Sequence, residues 1–484
     1  MKPHHAEFHP RSRGGHAGRL AAATSLLCVL MLVLGGCASF SADGGFGVIE
    51  TAAKERLGKD LHWARTAQSG ELAAQRVSEL LAKPLTLDDA VQVALLNNRG
   101  LQASFDELGI AEADVVQAGR LPNPGFRFGR LKRGSEIEIE LGFHFNLARL
   151  VAMPLATQIE ARRFAQAQGL AVLAVSSLAA ETRKAYFSAI GADESVRYMR
   201  QVMDAADAGA ELARRMAGTG NWNKLQQARE HGFYAEAVLN LARAEQARTA
   251  ARERLTRLLG LWGAQTAYRL PERLPDLPDQ ADDLPNVEQL AMAQRLDVQA
   301  ARLDAEQLAK NLGLTQATRF VNVLEFGLVR NSSNEQPTQR GYEISVELPL
   351  FDWGDAKLAK AQATYMQALN RAAQTAIEAR SEVRQAYYGY RSSYDIARHY
   401  RDAIVPARKR ISEENQLRYN GMLIGVFELL ADARSQIASV NGYIEALRDF
   451  WLAQADLDMA LVGKPSMSAA PMSLGGQAEA APRH

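Results

Sequence analysis

The sequence lacks most of the features by which enzymes and nucleic-acid-binding proteins are recognised. It has only 2 cysteines in 484 residues, which excludes a fold held together by disulfides. Neither charge is in excess, with 56 Lys and Arg against 55 Asp and Glu, and this balance argues against a nucleic-acid-binding surface. The sequence also has no zinc-type histidine pair, no glycine-rich phosphate loop and no nucleophile elbow. We therefore expect no catalytic residues, no metal site, no cofactor and no nucleic-acid partner.

Long hydrophobic runs are also scarce, and the single one spans residues 20–34 near the N-terminus. Arginines precede this run, which is too short for a stop-transfer helix and has the layout of a secretory signal. It ends in Leu34-Gly35-Gly36-Cys37, which resembles the lipobox of bacterial lipoproteins. The sequence thus predicts a signal peptide over residues 1–36. It also predicts a covalent lipid on Cys37, diacylglycerol together with an N-linked acyl chain such as palmitate.

The residue after the cysteine indicates the membrane to which the anchor is sorted. Ala38 stands where an aspartate would favour retention in the inner membrane. We therefore expect a lipid-anchored protein in the outer membrane of a Gram-negative bacterium, with residues 37–84 as its anchor and first periplasmic segment. A plain secretory signal with an accidental cysteine is the alternative.

An internal duplication organises the rest of the chain. The segment 181–187 (ETRKAYF) recurs 201 residues later as 382–388 (EVRQAYY). Four prolines between the two copies predict an extended linker, and the aperiodic C-terminal tail predicts disorder. The resulting boundaries are 85–263 for the first repeat, 264–285 for the linker, 286–463 for the second repeat and 464–484 for the tail.

Each repeat contains a pair of short segments in which apolar and polar residues alternate, over 126–145 and 320–348. Alternation with period two is typical of β-strands that have one apolar and one polar face. Such strands suit a wall with lipid on one side and water on the other. The acids on the polar side are candidate residues of a barrel lumen: Glu136, Glu138, Glu140, Glu343 and Glu347.

Four strands are too few to close a transmembrane barrel. Closure takes roughly eight strands or more, and open sheet edges are not tolerated in lipid. Several chains must therefore contribute strands. Beyond the first strand pair, residues 155–217 contain no proline and, as one helix, would extend on the order of 90 Å. Their alanine-rich spacing is typical of coiled-coil-like helix packing.

Three motifs resemble the outer-membrane efflux protein family, of which TolC is the namesake. They are 85–94 (LTLDDAVQVA), 348–354 (LPLFDWG) and 418–421 (RYNG). The resemblance implies a mixed α and transmembrane β fold, a homotrimer in which three times four strands form one 12-stranded β-barrel. It also implies a long periplasmic α-helical barrel, continuous with the β-barrel and built from the two repeats. The implied role is a passive export duct, working with a periplasmic adaptor (membrane fusion protein) and an inner-membrane pump.

The resemblance also places functional residues at the tips of two long helical hairpins, 215–228 and 418–431. In the family these tips meet the adaptor, and Gly218 and Gly421 suit turns that need a positive φ. The implied adaptor contacts are Arg215, Gly218, Leu225, Arg418, Tyr419, Gly421 and Leu429.

The family's periplasmic aperture is often narrowed by acidic side chains on the second hairpin. The corresponding residues here are Phe427 and Leu430, which are apolar. We therefore expect either an apolar constriction or a role for the neighbouring acids Glu428 and Asp432 in the aperture.

Other functions remain open at the level of the sequence. A lipid-anchored coiled-coil scaffold or a periplasmic adaptor would also have long alanine-rich hairpins, although an adaptor should have lipoyl-like β segments around a single hairpin. A type I secretion exit duct for polypeptides would share the whole architecture. The sequence does not distinguish drugs, metal ions and polypeptides as cargo.

Overall fold

The structure is a computed structural model that describes residues 38–318, 324–346 and 350–465. The predicted lipidation residue Cys37 and the predicted lumen residue Glu347 lie outside the described residues, and so does the side chain of Phe427. The chain divides into two compact units. One comprises the described residues up to Gly44 with Ile110–Phe164 and Gln307–Ala363, and the other comprises Gly45–Gly109, Ala165–Glu306 and the described residues from Thr364 onward.

Helices make up most of the described chain, and pairs of strands interrupt them twice. The first part contains α1 (Gly47–Leu57), α2 (Ala67–Leu81), α3 (Leu87–Asn97), α4 (Arg99–Ala118), β1 (Gly125–Arg133), β2 (Glu136–Asn146), α5 (Leu147–Gly218) and α6 (Lys224–Leu259). The second part contains α7 (Val287–Gln294), α8 (Leu296–Thr318), β3 (Leu324–Ser333), β4 (Gln339–Val346), α9 (Asp355–His399), α10 (Val405–Asn420) and α11 (Val426–Ala460). A π-helical turn, Tyr400–Ile404, separates α9 from α10. No helix in the described ranges combines the length and the apolar character needed to cross a membrane.

The four strands form one antiparallel sheet in the order β1-β2-β3-β4. Alternation along β2 divides the sheet into two faces, as the sequence predicts. The face that we call the apolar face carries Phe143 of β2, whose ring centroid lies 5.1 Å from that of Phe126 on β1. The opposite face, which we call the polar face, carries Glu140. The expectation of long helices combined with a four-stranded sheet is confirmed.

The hydrophobic core of the unit that comprises Gly45–Gly109, Ala165–Glu306 and the described residues from Thr364 onward includes both of the similar segments 181–187 and 382–388. Tyr186 and Phe187 of α5 pack in the same cluster as Ala386 of α9, together with Phe450 of α11. After a 3-10 turn, Gly263–Ala267, the proline-rich segment 268–284 has no helix or strand and packs against this core through Leu274, Leu277 and a 2.6 Å hydrogen bond that the hydroxyl of Tyr394 donates to the carbonyl of Asp279. Proline-rich chain is therefore held in place by side chains of α9.

Buried charges in this unit are paired. The guanidinium of Arg295, which is 1% exposed, contacts the carboxylates of Asp297 at 2.6 Å and Glu382 at 2.8 Å. The ammonium of Lys184 lies 2.7 Å from the carboxylate of Asp456, and burial raises the pKa of Asp456 above its ordinary range despite this hydrogen bond. Such pairs offset the cost of removing charges from water.

Candidate functional site

The first hairpin tip, which joins α5 to α6, is closed by a Schellman motif. The amide of Asn221 donates to the carbonyl of Met216 at 2.9 Å, and the amide of Gly220 donates to the carbonyl of Ala217 at 3.1 Å. Gly220 has the left-handed conformation that this motif requires, with φ 77°. Asn223 then caps α6 through reciprocal hydrogen bonds with Gln226.

The second tip, which joins α10 to α11, has the same hydrogen bonds. The amide of Leu423 donates to the carbonyl of Arg418 at 2.8 Å, and the amide of Met422 donates to the carbonyl of Tyr419 at 2.9 Å. Here the left-handed position is occupied by Met422, with φ 60°. A side chain in this conformation costs about 1–2 kcal/mol, because Cβ approaches the following carbonyl oxygen.

The prediction that Gly218 and Gly421 supply the positive φ is therefore wrong. Gly218 is the last residue of α5, and Gly421 has φ −80°. The left-handed residue follows the predicted glycine by two positions at the first tip, where it is Gly220, and by one position at the second tip, where it is Met422. The motif's hydrogen bonds determine this register, and the position of a glycine in the sequence does not.

The second tip exposes more apolar surface than the first. At the second tip, Met422 is 93% exposed and Leu423 is 78% exposed. At the first tip, the exposed apolar residue is Leu225. Sequence reasoning named Leu225 and Tyr419, which are both exposed, but missed Leu417, Met422 and Leu423. The available signal was an apolar Met-Leu pair in a turn, where polar residues are usual.

The other predicted contact residues differ in how accessible they are. Hydrogen bonds from Arg214 and Arg215 lower the pKa of Glu211 to about 2, so its carboxylate stays charged and holds Arg215 along the helix. Arg418 is exposed, whereas Leu429 is half-buried. Their role in binding an adaptor stays a prediction.

The predicted aperture residues lie in the first turns of α11 and face different surroundings. Glu428 is exposed. Leu430 is half-buried and points toward α5, since a Cβ placed on Gly209 would lie 4.0 Å from its Cδ2 atom. Asp432 is half-buried, and its Oδ2 atom has no hydrogen-bond partner in the described part of the chain.

Close to these residues, an ion pair joins the two hairpins. The carboxylate of Glu230 on α6 lies 2.6 Å from the guanidinium of Arg434 on α11. Glu230 is 2% exposed, and the guanidinium also lies 4.2 Å from the ring centroid of Phe233. Beside it, Val202, Ala206 and Ala237 form a small apolar cluster. Sequence reasoning missed this pair, because its members are 204 residues apart and carry no motif.

The polar face of the sheet contains the predicted lumen acids that the structure describes. Glu136, Glu138 and Glu140 lie on β2, and Glu343 lies on β4 on the same face. Two arginines of β1 that were not predicted, Arg127 and Arg133, share this face, as does Glu325 of β3. The face is therefore acidic overall but mixed in charge. No three His, Cys, Asp or Glu side chains of the described residues are grouped as a metal site requires.

Comparison with solved structures identifies the class of this fold. The structure matches CusC, a protein described in terms of transmembrane channel formation, over 78% of this chain and 92% of that chain, with a TM-score of 0.64 and 17% identity. It also matches the Campylobacter jejuni CmeC outer membrane channel over 78% of this chain and 85% of that chain, with a TM-score of 0.67 and 17% identity. The fold is that of TolC-like outer-membrane channels.

The sequence comparisons agree with this class. The family described as outer membrane efflux protein matches residues 287–461, which agrees with the family that the motifs predict. A curated relative, the cobalt-zinc-cadmium resistance protein CzcC of Cupriavidus metallidurans, is 26% identical over 291 residues. The alignment covers 58% of this chain and 66% of the relative, so the chain spans just under two thirds of that protein's length.

Proposed function

We propose that this chain is the outer-membrane channel subunit of a tripartite efflux system, a passive duct without enzymatic activity. The observation that supports this most is the division of the four-stranded sheet into an exposed apolar face and a polar face. Phe126, Phe143, Leu328, Tyr342 and Ile344 on the apolar face are all exposed in the single chain. Apolar patches of this kind are rarely left in water, and a lipid environment would cover them.

The edges of the sheet support a trimer. β1 and β4 are edge strands, and each has one side without a partner in the described part of the chain. In lipid, unpaired backbone groups cost several kcal/mol each, so both edges must pair with strands of other chains. Three copies would contribute twelve strands, which is enough for closure. We infer that the homotrimer forms one barrel, with the acidic face lining its lumen.

The hairpin tips are the proposed contact surface for a periplasmic adaptor, which in turn binds an inner-membrane pump. Met422 and Leu423 at the second tip would become buried on contact with the adaptor. Met422 also keeps a conformation that glycine would adopt at lower cost. Strain retained at an exposed apolar residue is consistent with a binding role.

We propose divalent metal cations as the exported class. The curated relative is named for resistance to cobalt, zinc and cadmium. The acids of the polar face would raise the local concentration of cations inside the barrel. Export of drugs or of polypeptides is the alternative for cargo, and a lipid-anchored scaffold is the alternative for function.

Planar-bilayer recording of the purified full-length protein tests the channel. We expect discrete current steps of one size and a reversal potential that indicates cation preference, because acids outnumber arginines on the polar face. Protein that binds the bilayer without ever producing discrete steps would favour the scaffold. Steps with anion preference would contradict the assignment of the acidic face to the lumen.

We further propose that Cys37 is acylated after signal cleavage and anchors each chain. Replacing Cys37 with serine should abolish incorporation of labelled palmitate, because serine has no thiol to accept the diacylglycerol. The variant should still assemble, since strand pairing buries more apolar surface than one lipid anchor. Palmitate label that persists in the serine variant would contradict this assignment.

A further inference from the structure

The positive charges of the sheet include a group that lies on its apolar face. Arg130 and Lys132 of β1, Arg330 of β3 and Arg340 of β4 belong to the same face as Phe126, Phe143 and Leu328. No acid of the described strands lies on this face. The five acids of those strands all lie on the polar face: Glu136, Glu138, Glu140, Glu325 and Glu343.

These cations have no protein partner in the described residues. Arg330 stands directly opposite Arg340 in the β3–β4 pairing, an arrangement that is destabilising for like charges. All four side chains are exposed, and none forms a salt bridge or a side-chain hydrogen bond within the described chain. Glu335, in the loop between β3 and β4, accepts a hydrogen bond from Ser135 instead. An anion from outside the protein would relieve the repulsion.

A neighbouring copy of the chain would not supply this anion. In a barrel closed by identical chains, β1 of one copy pairs with β4 of the next. Each added strand then presents the same distribution, cations and apolar residues outside and acids inside. Oligomerisation therefore brings Arg340 closer to the cations of β1 and raises the demand for an anion.

The cations lie at one end of the apolar face. Phe145, Phe326 and Ile344 occupy the end at which the strands connect to helices, and Phe126, Phe143, Leu328 and Tyr342 form the next row. The four cations follow toward the β1–β2 and β3–β4 turns, in rows that also carry the apolar residues Phe128, Leu141, Ile139 and Ile137. A band of apolar residues bordered by cations is the pattern expected where hydrocarbon meets charged lipid headgroups.

We propose that Arg130, Lys132, Arg330 and Arg340 bind the phosphates of the glycolipid in the outer leaflet, the bisphosphorylated disaccharide of lipopolysaccharide. This rests on the proposed function, in which the helices lie in the periplasm. The β1–β2 and β3–β4 turns, at the opposite end of the strands, then lie at the outer surface. The cations are spread over β1, β3 and β4, and β1 and β3 are two strand spacings, or about 10 Å, apart. A headgroup with two separated phosphates matches this spread better than a phospholipid with one phosphate. Arginine suits the site because its guanidinium binds phosphate in a bidentate manner.

Native mass spectrometry of the full-length protein in dodecyl maltoside tests the site with three probes. These are bisphosphorylated lipid A, the same lipid with both phosphates removed, and phosphatidylglycerol. We expect the parent to bind bisphosphorylated lipid A about tenfold more tightly than either other probe. The double variant Arg330→Gln/Arg340→Gln should lose this preference, whereas the matched variant Arg127→Gln/Arg133→Gln, which removes two arginines from the polar face, should keep it.

Each other outcome overturns a defined part of the proposal. Equal binding of the phosphorylated and dephosphorylated lipids by the parent would exclude a phosphate site without reference to any variant. Equal binding of phosphatidylglycerol and lipid A would exclude the glycolipid as the preferred ligand. Conductance is recorded on the same preparations. A protein that conducts but binds phosphorylated and dephosphorylated lipid A equally would overturn this site alone. A protein that discriminates by phosphate but never conducts keeps the lipid site and overturns the channel.

Discussion

Replacing Arg434 with alanine should strongly loosen the packing of the two hairpins near their tips. The change leaves the carboxylate of Glu230, which is 2% exposed, without the guanidinium that contacts it at 2.6 Å. Breaking a buried ion pair by removing one partner costs about 3–5 kcal/mol, because the remaining charge stays buried and uncompensated. Arg434 itself is partly exposed, so we expect the loss of stability to lie near the lower end of this range, at about 3 kcal/mol.

Native-state hydrogen exchange on the purified protein measures this effect where it arises. Amides of α6 and α11 that exchange through local opening should exchange about 100-fold faster in the alanine variant. Arg200→Ala is the matched control. Arg200 of α5 forms an ion pair with Glu245 of α6 at 2.8 Å, but both of these side chains are exposed. Removing that exposed pair should accelerate exchange only a few-fold, because an exposed pair contributes about 1 kcal/mol or less to stability.

A double variant separates the lost ion pair from lost packing. Replacing both Glu230 and Arg434 with methionine removes both charges and keeps much of the buried volume. We expect this variant to recover most of the protection, since apolar replacement of a buried pair is often nearly neutral. If Arg434→Ala and Arg200→Ala accelerated exchange equally, the buried pair would not be what joins the hairpins.

The sheet could be predicted from the sequence because alternation is a local property. Every second residue of 137–145 is apolar, and the structure has β2 over Glu136–Asn146. The division into one apolar and one polar face follows from period two alone. The pairing of β2 with β3, which lies more than 170 residues later, was not predicted, because pairing between distant segments leaves no local pattern in the sequence.

The tips were predicted less well, for a physical reason. A glycine in the sequence indicates where positive φ is inexpensive, but the hydrogen bonds of the Schellman motif decide where it occurs. At the second tip they select Met422 although Gly421 is adjacent. The Glu230–Arg434 pair was beyond sequence reasoning for a different reason. It depends on how three helices meet, and neither residue differs in its local pattern from the many exposed charges around it.

Replacing Leu328 with lysine should prevent assembly of the protein in the membrane, whereas replacing the adjacent Val329 should be tolerated. Leu328 lies in the part of the apolar face that carries no cation, in one row with Phe126, Phe143 and Tyr342. A lysine facing lipid costs about 2–4 kcal/mol at the bilayer midplane and less toward the headgroups, and a trimer incurs the cost three times. Val329 belongs to the polar face, where its direct neighbours are Gly142 and Gly341.

The two positions form a matched pair, since they are consecutive β3 residues that differ chiefly in the face they occupy. A lysine at position 329 would have room between two glycines, and it would lie diagonal to Glu140 and Glu343, whose charges favour it. The measurement is the fraction of trimer in isolated outer membranes, resolved by electrophoresis of unheated samples, with the heating midpoint of the trimer band as a second value. Leu328→Lys should reduce both, and Val329→Lys should leave both near those of the parent. If the two lysine variants assembled equally well, the apolar face would not be the one in contact with lipid, and the proposed barrel would have the wrong face outward.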